Sequence, residues 1–270
     1  MRTLRNASAV IGIVLVFLFV SFAVARTTRA RADAVFIAAA NLQTVTLTVD
    51  GVDRRALVHL PPAYDGKVAL PVVLMFHGNG GTAESVVKET GWVAKSDAAG
   101  FIVVFPEATR PDMTQPPKFG RNNPAWNDGS GRFHAGERNI TDVAFIAALL
   151  DHIEAKFDVD KRRVFATGFN GVPEKAKPPV REMVQAWVKL LGCKEEAESI
   201  ASDIEGITTI VHTGGRDGTE VVFTTIKGHG HIWPGGKSPL PAFILGKATS
   251  RLNANDAVWD FFQSHPKPNP

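Results

Sequence analysis

Pro71-Val-Val-Leu-Met-Phe76 leads directly into His77-Gly-Asn-Gly-Gly81, and Phe101-Ile-Val-Val-Phe105 is a second continuous apolar stretch of strand length. Neither stretch alternates apolar with polar residues, which is typical of parallel strands buried on both faces of a sheet. A helix is predicted between them, over residues 85–99, so strand and helix alternate along the chain. The sequence therefore predicts an α/β fold with a mostly parallel sheet.

A hairpin is predicted before these strands, because residues 44–49 alternate in polarity, Asp50-Gly51 is a turn signal and residues 55–60 return as a second strand. Further along, residues 164–169 form another buried apolar run. The other predicted elements are helices over 141–157, 179–191 and 256–265, and a hairpin over 207–226. In the helix over 141–157, helical spacing places on one face Val143, Ile146, Ala147, Leu150, Ile153 and Phe157.

The first 32 residues have the features of an export signal. Met1-Arg-Thr-Leu-Arg5 provides a positive start, and residues 9–25 form an almost unbroken apolar run. We therefore predict a signal peptide over residues 1–32, a domain over residues 33–270 and a secreted protein. The alternative is a membrane anchor at residues 9–25, because the run is close to spanning length and arginines follow it.

The leader also explains the basic pI of the chain. Five of the 30 basic residues are arginines within residues 1–32, which leaves 25 basic against 27 acidic residues for the rest. No basic stripe with interleaved aromatic residues occurs in that remainder, so we expect no nucleic-acid partner. Contact with a membrane is expected only if the leader is retained.

His77, Gly78, Asn79 and Gly80 form a glycine-rich turn at the carboxyl end of a buried strand. Such a turn lets backbone N–H groups point at a substrate oxygen, as in the oxyanion hole of α/β-hydrolases. Glycine-rich strand ends also bind phosphate, but the chain has no GxGxxG or P-loop pattern. These four residues are candidate oxyanion residues.

A second candidate region is Lys227-Gly-His-Gly-His-Ile-Trp-Pro-Gly-Gly236. A histidine in a rigid loop after the last strand suits a general base, and His231 is the candidate. A purely structural loop is one alternative. A metal site formed by His229 and His231, with His212, is another, but no carboxylate or cysteine pattern accompanies them and we expect no metal.

Six motifs in this order resemble the secreted polyhydroxybutyrate depolymerase and feruloyl (acetyl-xylan) esterase group of α/β-hydrolases, often described as LpqC-like. They lie between about Leu42 and the C-terminus and comprise Leu74-Met-Phe-His-Gly-Asn-Gly-Gly81, Gly100-Phe-Ile-Val-Val-Phe-Pro106, Trp126-Asn-Asp-Gly129, Asn139-Ile-Thr-Asp-Val-Ala-Phe145, Asp160-Lys-Arg-Arg-Val-Phe-Ala-Thr-Gly168 and Gly230-His-Ile-Trp-Pro-Gly235. The resemblance implies an α/β-hydrolase fold and a serine esterase with a Ser–His–Asp triad and no cofactor. It also implies an ester substrate, either a feruloyl or acetyl ester of the plant cell wall or a polyhydroxyalkanoate.

By position, the resemblance gives His231 the role of triad base and the turn at residues 77–81 that of the oxyanion loop. It places Trp126, Asn127 and Trp233 at the rim of the substrate site.

The family pattern breaks after Phe169. Relatives continue with x-Ser-x-Gly, an apolar helix, two more strands and a loop that bears the triad acid, whereas here Asn170-Gly-Val-Pro-Glu-Lys175 follows. No serine of the chain has glycine at both the −2 and +2 positions. We therefore predict an internal loss between Phe169 and Asn170 of roughly 60 or more residues, at about 30 per strand–helix unit. It removes the nucleophile, the acid and two central strands.

Two residues bear on this loss. Asp217 is a weak candidate for a replacement acid, because its Asp-Gly sequence is mainly turn chemistry. Cys193 is the only cysteine. In the family that the chain resembles, the cysteine at this position pairs with a second cysteine in the later hairpin. Gly215 stands at the position of that second cysteine here.

Three interpretations of the chain remain open from the sequence. The chain is a secreted carboxylic ester hydrolase by descent whose own activity is weak or absent. Alternatively, it is an inactive remnant that binds an ester-bearing polysaccharide or polyester through Trp126 and Trp233. Thirdly, the break reflects a faulty gene model or a deleted allele of an intact esterase.

Overall fold

A computed structural model describes residues 41–129, 131, 133–168, 180–200, 204–238 and 240–267. The chain divides into two compact units, Met1–Gln43 and Thr44–Pro270. The predicted signal peptide or anchor and the break at Phe169 and Asn170 lie outside the described residues. The second unit contains all of the sites considered below.

The chain contains a five-stranded sheet with the order β1-β2-β4-β3-β5. Its strands are β1 (Leu42–Val49), β2 (Val52–His59), β3 (Leu70–Phe76), β4 (Ile102–Pro106) and β5 (Val159–Gly168). β2 runs antiparallel to β4, whereas β3 is parallel to both β4 and β5. The predicted α/β fold, with a hairpin before a mostly parallel centre, is confirmed.

Helices cover both faces of this sheet. The described helices are α1 (Ala83–Thr90), α2 (Trp92–Ala99), α3 (His134–Glu137), α4 (Asp142–Lys156), α5 (Val180–Leu191), α6 (Ala242–Leu245) and α7 (Ala254–Ser264). The single helix predicted over 85–99 is two helices, because Gly91 adopts φ +73° and ends α1. None of the described helices is long and apolar enough to cross a bilayer.

Alternate residues of β3 and β4 face opposite sides of the sheet, so each strand contributes to two apolar layers. On one side, Val72 and Val104 pack in a cluster with Phe145 and Leu149 of α4. On the other side, Phe101 stacks on Trp259 of α7, and their ring centroids are 4.2 Å apart. This double burial explains why both strands lack polar residues.

A separate three-stranded sheet follows, with the order β6-β7-β8. Its antiparallel strands are β6 (Glu198–Ile200), β7 (Ile207–His212) and β8 (Val221–Ile226). β7 and β8 form the late hairpin that the sequence predicts, and helix α5 contacts β8. Within the described residues, β5 ends the five-stranded sheet, and no strand pairs with its outer edge.

Candidate active site

The turn after β3 has the hydrogen bonding of a tight β-turn. The N–H of Gly81 donates to the carbonyl of Gly78 at 3.0 Å, and Gly80 adopts φ +79°, which glycine tolerates best. The N–H of Gly80 donates to the carbonyl of Pro124 at 2.8 Å. Gly80 was a predicted oxyanion donor, but its N–H is already engaged in the fold.

Two other N–H groups of the turn remain available. Among the described residues, neither the N–H of Gly78 nor that of Asn79 donates a hydrogen bond, and both residues are half-buried. The side-chain Oδ1 of Asn79 is buried and likewise has no partner in this part of the chain. Of the four predicted oxyanion residues, Gly78 and Asn79 therefore offer donors for a ligand oxygen.

His77 is a structural part of the turn. Its Nδ1–H donates to the carbonyl of Gly78 at 2.8 Å, and its Nε2 accepts from the N–H of Ala108 at 3.1 Å. Burial lowers the pKa of His77 to about 4. The imidazole is therefore neutral near pH 7 and its tautomer is fixed by its two partners, so it does not serve as a general base.

An ion cluster holds the start of α1, directly after the turn. The N–H of Ala83 donates to Oε2 of Glu107 at 2.6 Å, and Arg55 bridges Glu107 and Glu84 at N–O distances of 3.4 and 2.5 Å. Burial raises the pKa of Glu107 despite the Arg55 charge. Burial also acts to raise the pKa of Glu84, but its hydrogen bonds and ion pair with Arg55 lower that pKa overall. This cluster was not predicted from the sequence, although charges beside buried strands were a signal for it.

Trp126, which was predicted for the substrate rim, lies against the turn. Its indole N–H donates to the carbonyl of His77 at 2.9 Å. Its ring packs on the His77 imidazole, with a centroid distance of 5.2 Å, and meets Phe76 edge-on at 5.3 Å. The indole therefore supports the turn and does not present its N–H to a substrate.

A buried ion pair fixes the neighbouring residue, Asn127. Asp142 accepts the N–H of Asn127 at 2.6 Å through Oδ2 and pairs with Arg54 at 2.6 Å through Oδ1. The guanidinium of Arg54 also lies 4.2 Å from the ring centroid of Phe145. Asn127 donates from its side chain to the carbonyl of Ile140 at 3.0 Å. Its predicted place at the substrate rim thus coincides with a structural role.

The loop that carries His231 is held by backbone contacts with residues 245–249. The N–H of Gly230 donates to the carbonyl of Lys247 at 2.8 Å, and that of His231 to the carbonyl of Leu245 at 2.5 Å. His229 donates from Nε2 to the carbonyl of Ile232 and accepts from the N–H of Thr249 at Nδ1. Both nitrogens of His229 are therefore used within the loop.

Trp233 is only 7 % exposed, and its indole N–H donates to Asn255 at 2.8 Å. Asn255 in turn donates to the carbonyl of Thr90, and Lys237 donates its N–H to the carbonyl of Glu89 at 2.8 Å. The histidine loop thus docks on the C-terminal end of α1, whereas the oxyanion turn precedes the N-terminal end. The structure places Trp233 in the packed interior and not at the predicted substrate rim.

Asp217 lies exposed in the turn between β7 and β8, with φ +55°. The whole of β8, six residues long, separates it from the histidine loop. At about 3.3 Å per residue, that strand spans roughly 20 Å, so Asp217 and His231 lie at opposite ends of the hairpin. This placement disfavours Asp217 as a partner of His231.

Two further predictions concern the nucleophile and a metal site. The position expected for the nucleophile, after Phe169, lies outside the described residues. In the part of the chain that the structure describes, no group of three His, Cys, Asp or Glu side chains could hold a metal ion.

No established family profile matches the chain. The chain is 22 % identical to the "Putative esterase NocK" of Nocardia uniformis subsp. tsuyamanensis over 293 aligned positions, which cover 80 % of each protein. Since 80 % of 270 residues is about 216 residues, about 77 of the 293 positions have no counterpart in this chain. At low identity, the chain resembles the esterase-like α/β-hydrolases.

Solved structures match over shorter stretches. The native sOPH structure is 24 % identical, with a TM-score of 0.35, and covers 47 % of this chain and 43 % of its own. An S-formylglutathione hydrolase from Agrobacterium tumefaciens is 17 % identical, with a TM-score of 0.38, and the match covers 47 % of this chain and 48 % of the hydrolase. A ferulic acid esterase, AmCE1/Fae1A from Anaeromyces mucronatus, is 19 % identical, with a TM-score of 0.32, and the match covers 47 % of this chain and 48 % of the esterase. The chain thus spans just under half the length of these structures.

Proposed function

We propose that the chain derives from a secreted carboxylic ester hydrolase of the polyhydroxybutyrate depolymerase or feruloyl esterase type and has little or no hydrolytic activity itself. One observation carries this proposal. The oxyanion turn keeps two available N–H donors at Gly78 and Asn79, yet no Gly-x-Ser-x-Gly sequence occurs anywhere in the chain. The site can bind an ester carbonyl but lacks the residue that would attack it.

Two further observations support an internal loss after Phe169. β5 ends the described sheet at the point where relatives of the proposed type continue with more strands. In total, the alignment with the Nocardia relative leaves about 77 positions without a counterpart here, which is enough for the roughly 60 or more residues of two strand–helix units.

The chemistry that remains is limited. In a serine esterase, a histidine removes the proton from the serine hydroxyl, and backbone N–H groups stabilise the oxyanion that forms. His231 is the proposed base, and the Gly-x-Ser-x-Gly serine that it would activate is absent from the sequence. Transition-state binding by the turn alone leaves weak catalysis over the reaction in water.

Activity-based labelling tests the proposal directly. The purified chain is incubated with a fluorophosphonate probe, and its hydrolysis of p-nitrophenyl acetate is compared with that of His231→Ala and of the control His152→Ala. We expect no covalent label and equal background turnover for all three proteins. A stoichiometric serine adduct, or turnover lost only in His231→Ala, would show that a working nucleophile exists.

The internal loss has its own test. The genomic DNA that encodes residues 160–180 is sequenced together with the transcript. We expect the two to agree and to contain no Gly-x-Ser-x-Gly codons between Phe169 and Asn170. An in-frame segment of roughly 60 or more codons at this point would instead indicate an intact esterase with a faulty gene model.

The alternative function is an inactive remnant that binds an ester-bearing polysaccharide or polyester. Burial of Trp233 and the engaged indole N–H of Trp126 weaken the case for binding through these two residues. Retention on insoluble xylan or polyhydroxybutyrate, lost in Trp126→Ala/Trp233→Ala but kept in Trp187→Ala, would favour this alternative.

A further inference from the structure

We infer that Trp126 and His77 are positioning residues that hold the N–H groups of Gly78 and Asn79 ready for one carboxylate or ester carbonyl oxygen. The inference rests on the proposed function, because it concerns the oxyanion turn of that site. It makes the turn a binding site for a carboxylate even in a chain without a nucleophile.

The first N–H is fixed through the peptide that joins His77 to Gly78. This peptide is trans, so its carbonyl and its N–H point in opposite directions. The indole N–H of Trp126 holds the carbonyl of His77 at 2.9 Å. Fixing this carbonyl fixes the plane of the peptide, and the N–H of Gly78 is then directed away from Trp126.

The second N–H is fixed through the next peptide, which joins Gly78 to Asn79. Its carbonyl accepts two hydrogen bonds, from Nδ1 of His77 at 2.8 Å and from the N–H of Gly81 at 3.0 Å. His77 is itself held at Nε2 by the N–H of Ala108. The N–H of Asn79 is therefore directed away from the His77 ring.

The two holding groups are in contact with each other. The Trp126 ring packs on the His77 imidazole, with a centroid distance of 5.2 Å and an angle of 36° between the planes. Because both carbonyls are held by this aromatic pair, both N–H groups are directed away from it. Two adjacent N–H groups on one side of a turn suit an oxygen that carries negative charge.

The surroundings keep the turn in this arrangement at neutral pH. Burial holds the pKa of His77 at about 4, so the imidazole is neutral and its Nε2 accepts the N–H of Ala108, which leaves the ring proton on Nδ1 for the Gly78 carbonyl. Asp142, paired with Arg54, holds the N–H of Asn127 and so anchors the chain beside Trp126. The donors are therefore set before a ligand arrives, which is the condition for effective oxyanion binding.

The test follows backbone amides during titration with sodium acetate, with sodium chloride at equal ionic strength as the reference. In the ¹⁵N-labelled chain we expect the amide protons of Gly78 and Asn79 to shift with one common dissociation constant. The amides of Gly80 and Gly81 should respond little, because the carbonyls of Pro124 and Gly78 already accept them.

Trp126→Phe removes the indole N–H and keeps an aromatic ring beside His77. We expect acetate to bind about fivefold more weakly, which is the net value of one hydrogen bond, and the Gly78 amide to lose more of its response than the Asn79 amide. Trp187→Phe is the matched control, because Trp187 is 55 % exposed on α5 and should leave binding unchanged.

Three results would overturn the inference. They are equal acetate binding by Trp126→Phe and the parent chain, a response of Gly80 as large as that of Gly78, or no acetate-specific shift of the turn amides. If Trp126→Phe does not fold, the pattern of amide shifts in the parent chain decides. A serine adduct in the labelling experiment would refute the inactive ester hydrolase and leave the amide pattern unchanged.

Discussion

The five-stranded region, residues 44–168, and the C-terminal region, residues 180–267, differ in how completely they bury their apolar side chains. β3 and β4 are almost fully buried, and the charges beside them are paired. Among the described residues, eight of the twelve exposed large hydrophobic side chains lie in the C-terminal region. They are Trp187, Leu190, Ile200, Ile204, Val222, Leu240, Phe243 and Ile244.

This contrast separates the part of the site that depends on the whole sheet from the part that does not. The oxyanion turn needs only β3, its neighbours and the loop of Trp126, and all of these belong to the buried region. By the resemblance, the nucleophile of an esterase lies in the turn directly after β5, and the acid lies in a loop after the strands beyond it. Apolar side chains left in solvent beyond β5 are what the proposed internal loss would produce, because the elements that covered them are gone.

Two matched substitutions should show the contrast most strongly. Phe101→Ala removes a fully buried ring that stacks on Trp259, and we expect it to lower the free energy of unfolding by about 3–5 kcal/mol. Phe243→Ala removes a ring that is 87 % exposed, and we expect a change of no more than about 0.5 kcal/mol. Urea unfolding measures both. Equal losses would mean that the C-terminal region is as well packed as the sheet.

The buried histidine of the turn should give the sheet region a pH dependence. His77 has a pKa of about 4 in the folded chain against an ordinary 6.5, so the unfolded chain takes up the proton first as the pH falls. The stability contributed by the neutral ring is complete above pH 6.5 and is lost between pH 6.5 and about 4. This loss amounts to about 3 kcal/mol.

His77→Gln tests this dependence, because glutamine does not titrate. The variant should be less stable than the parent at pH 7, and its deficit should shrink by most of that amount as the pH is lowered to 4. Substitution of the half-buried His152 of α4 by glutamine serves as the control. A deficit for His77→Gln that is the same at pH 7 and pH 4 would contradict the assigned pKa.

The sequence predicted most of the buried region because its strands are continuous apolar runs and its turn is marked by glycines. For α4 it correctly included Ile153 and Phe157, which are buried, but it also included Val143, which is 85 % exposed. It left out three buried residues, Asp142, Phe145 and Leu149. The physical reason is Asp142, whose carboxylate is buried because Arg54 pairs with it. A prediction from apolar spacing assigns such a residue to the exposed face, and the predicted buried face is then rotated away from it.

The support of the turn by Trp126 could not be predicted in detail. The indole bonds to a backbone carbonyl 49 positions away, and any residue could supply that carbonyl. The motif placed Trp126 at the site, but only the folded loop shows that its N–H faces the turn. Trp233 shows the converse, since the motif placed it at the rim and its partner Asn255 holds it in the interior.

A new disulfide should stabilise the C-terminal region more than any single surface change. A Cβ atom at Gly215 would lie 2.8 Å from Sγ of Cys193, close to the roughly 3 Å that a disulfide requires. We expect Gly215→Cys to close a loop of roughly 20 residues and to add about 2 kcal/mol, after some strain from displacing Thr219. Unfolding with and without reductant measures the gain.

The control is Gly215→Cys/Cys193→Ser, which has the same new side chain and no partner for it. A mass lower by two hydrogens should accompany the gain in the single variant only. If the single and double variants are equally stable under oxidising conditions, the two positions are not close enough to bond.

The smallest effect is expected at the junction of the two regions, where Lys237 donates its N–H to the carbonyl of Glu89 at the end of α1. Burial raises the pKa of the Glu89 carboxyl from 4.5 to about 7, and its side chain has no hydrogen bond or ion pair within the described residues. The contribution of a carboxyl with a raised pKa to the stability of the folded state is fully present below pH 4.5. It is lost as the pH rises through about 7.

Glu89→Gln stays neutral at every pH and should therefore be more stable than the parent at pH 8, with little difference at pH 5. Because Glu89 is only partly buried, solvent screening reduces the expected gain to about 1 kcal/mol. Glu182→Gln on the exposed face of α5 is the matched control and should change stability at neither pH. Equal stability of Glu89→Gln and the parent at pH 8 would mean that the junction opens enough to hydrate the carboxylate. The C-terminal region would then be the more weakly attached of the two, and the contrast between them would be sharper than the packing alone indicates.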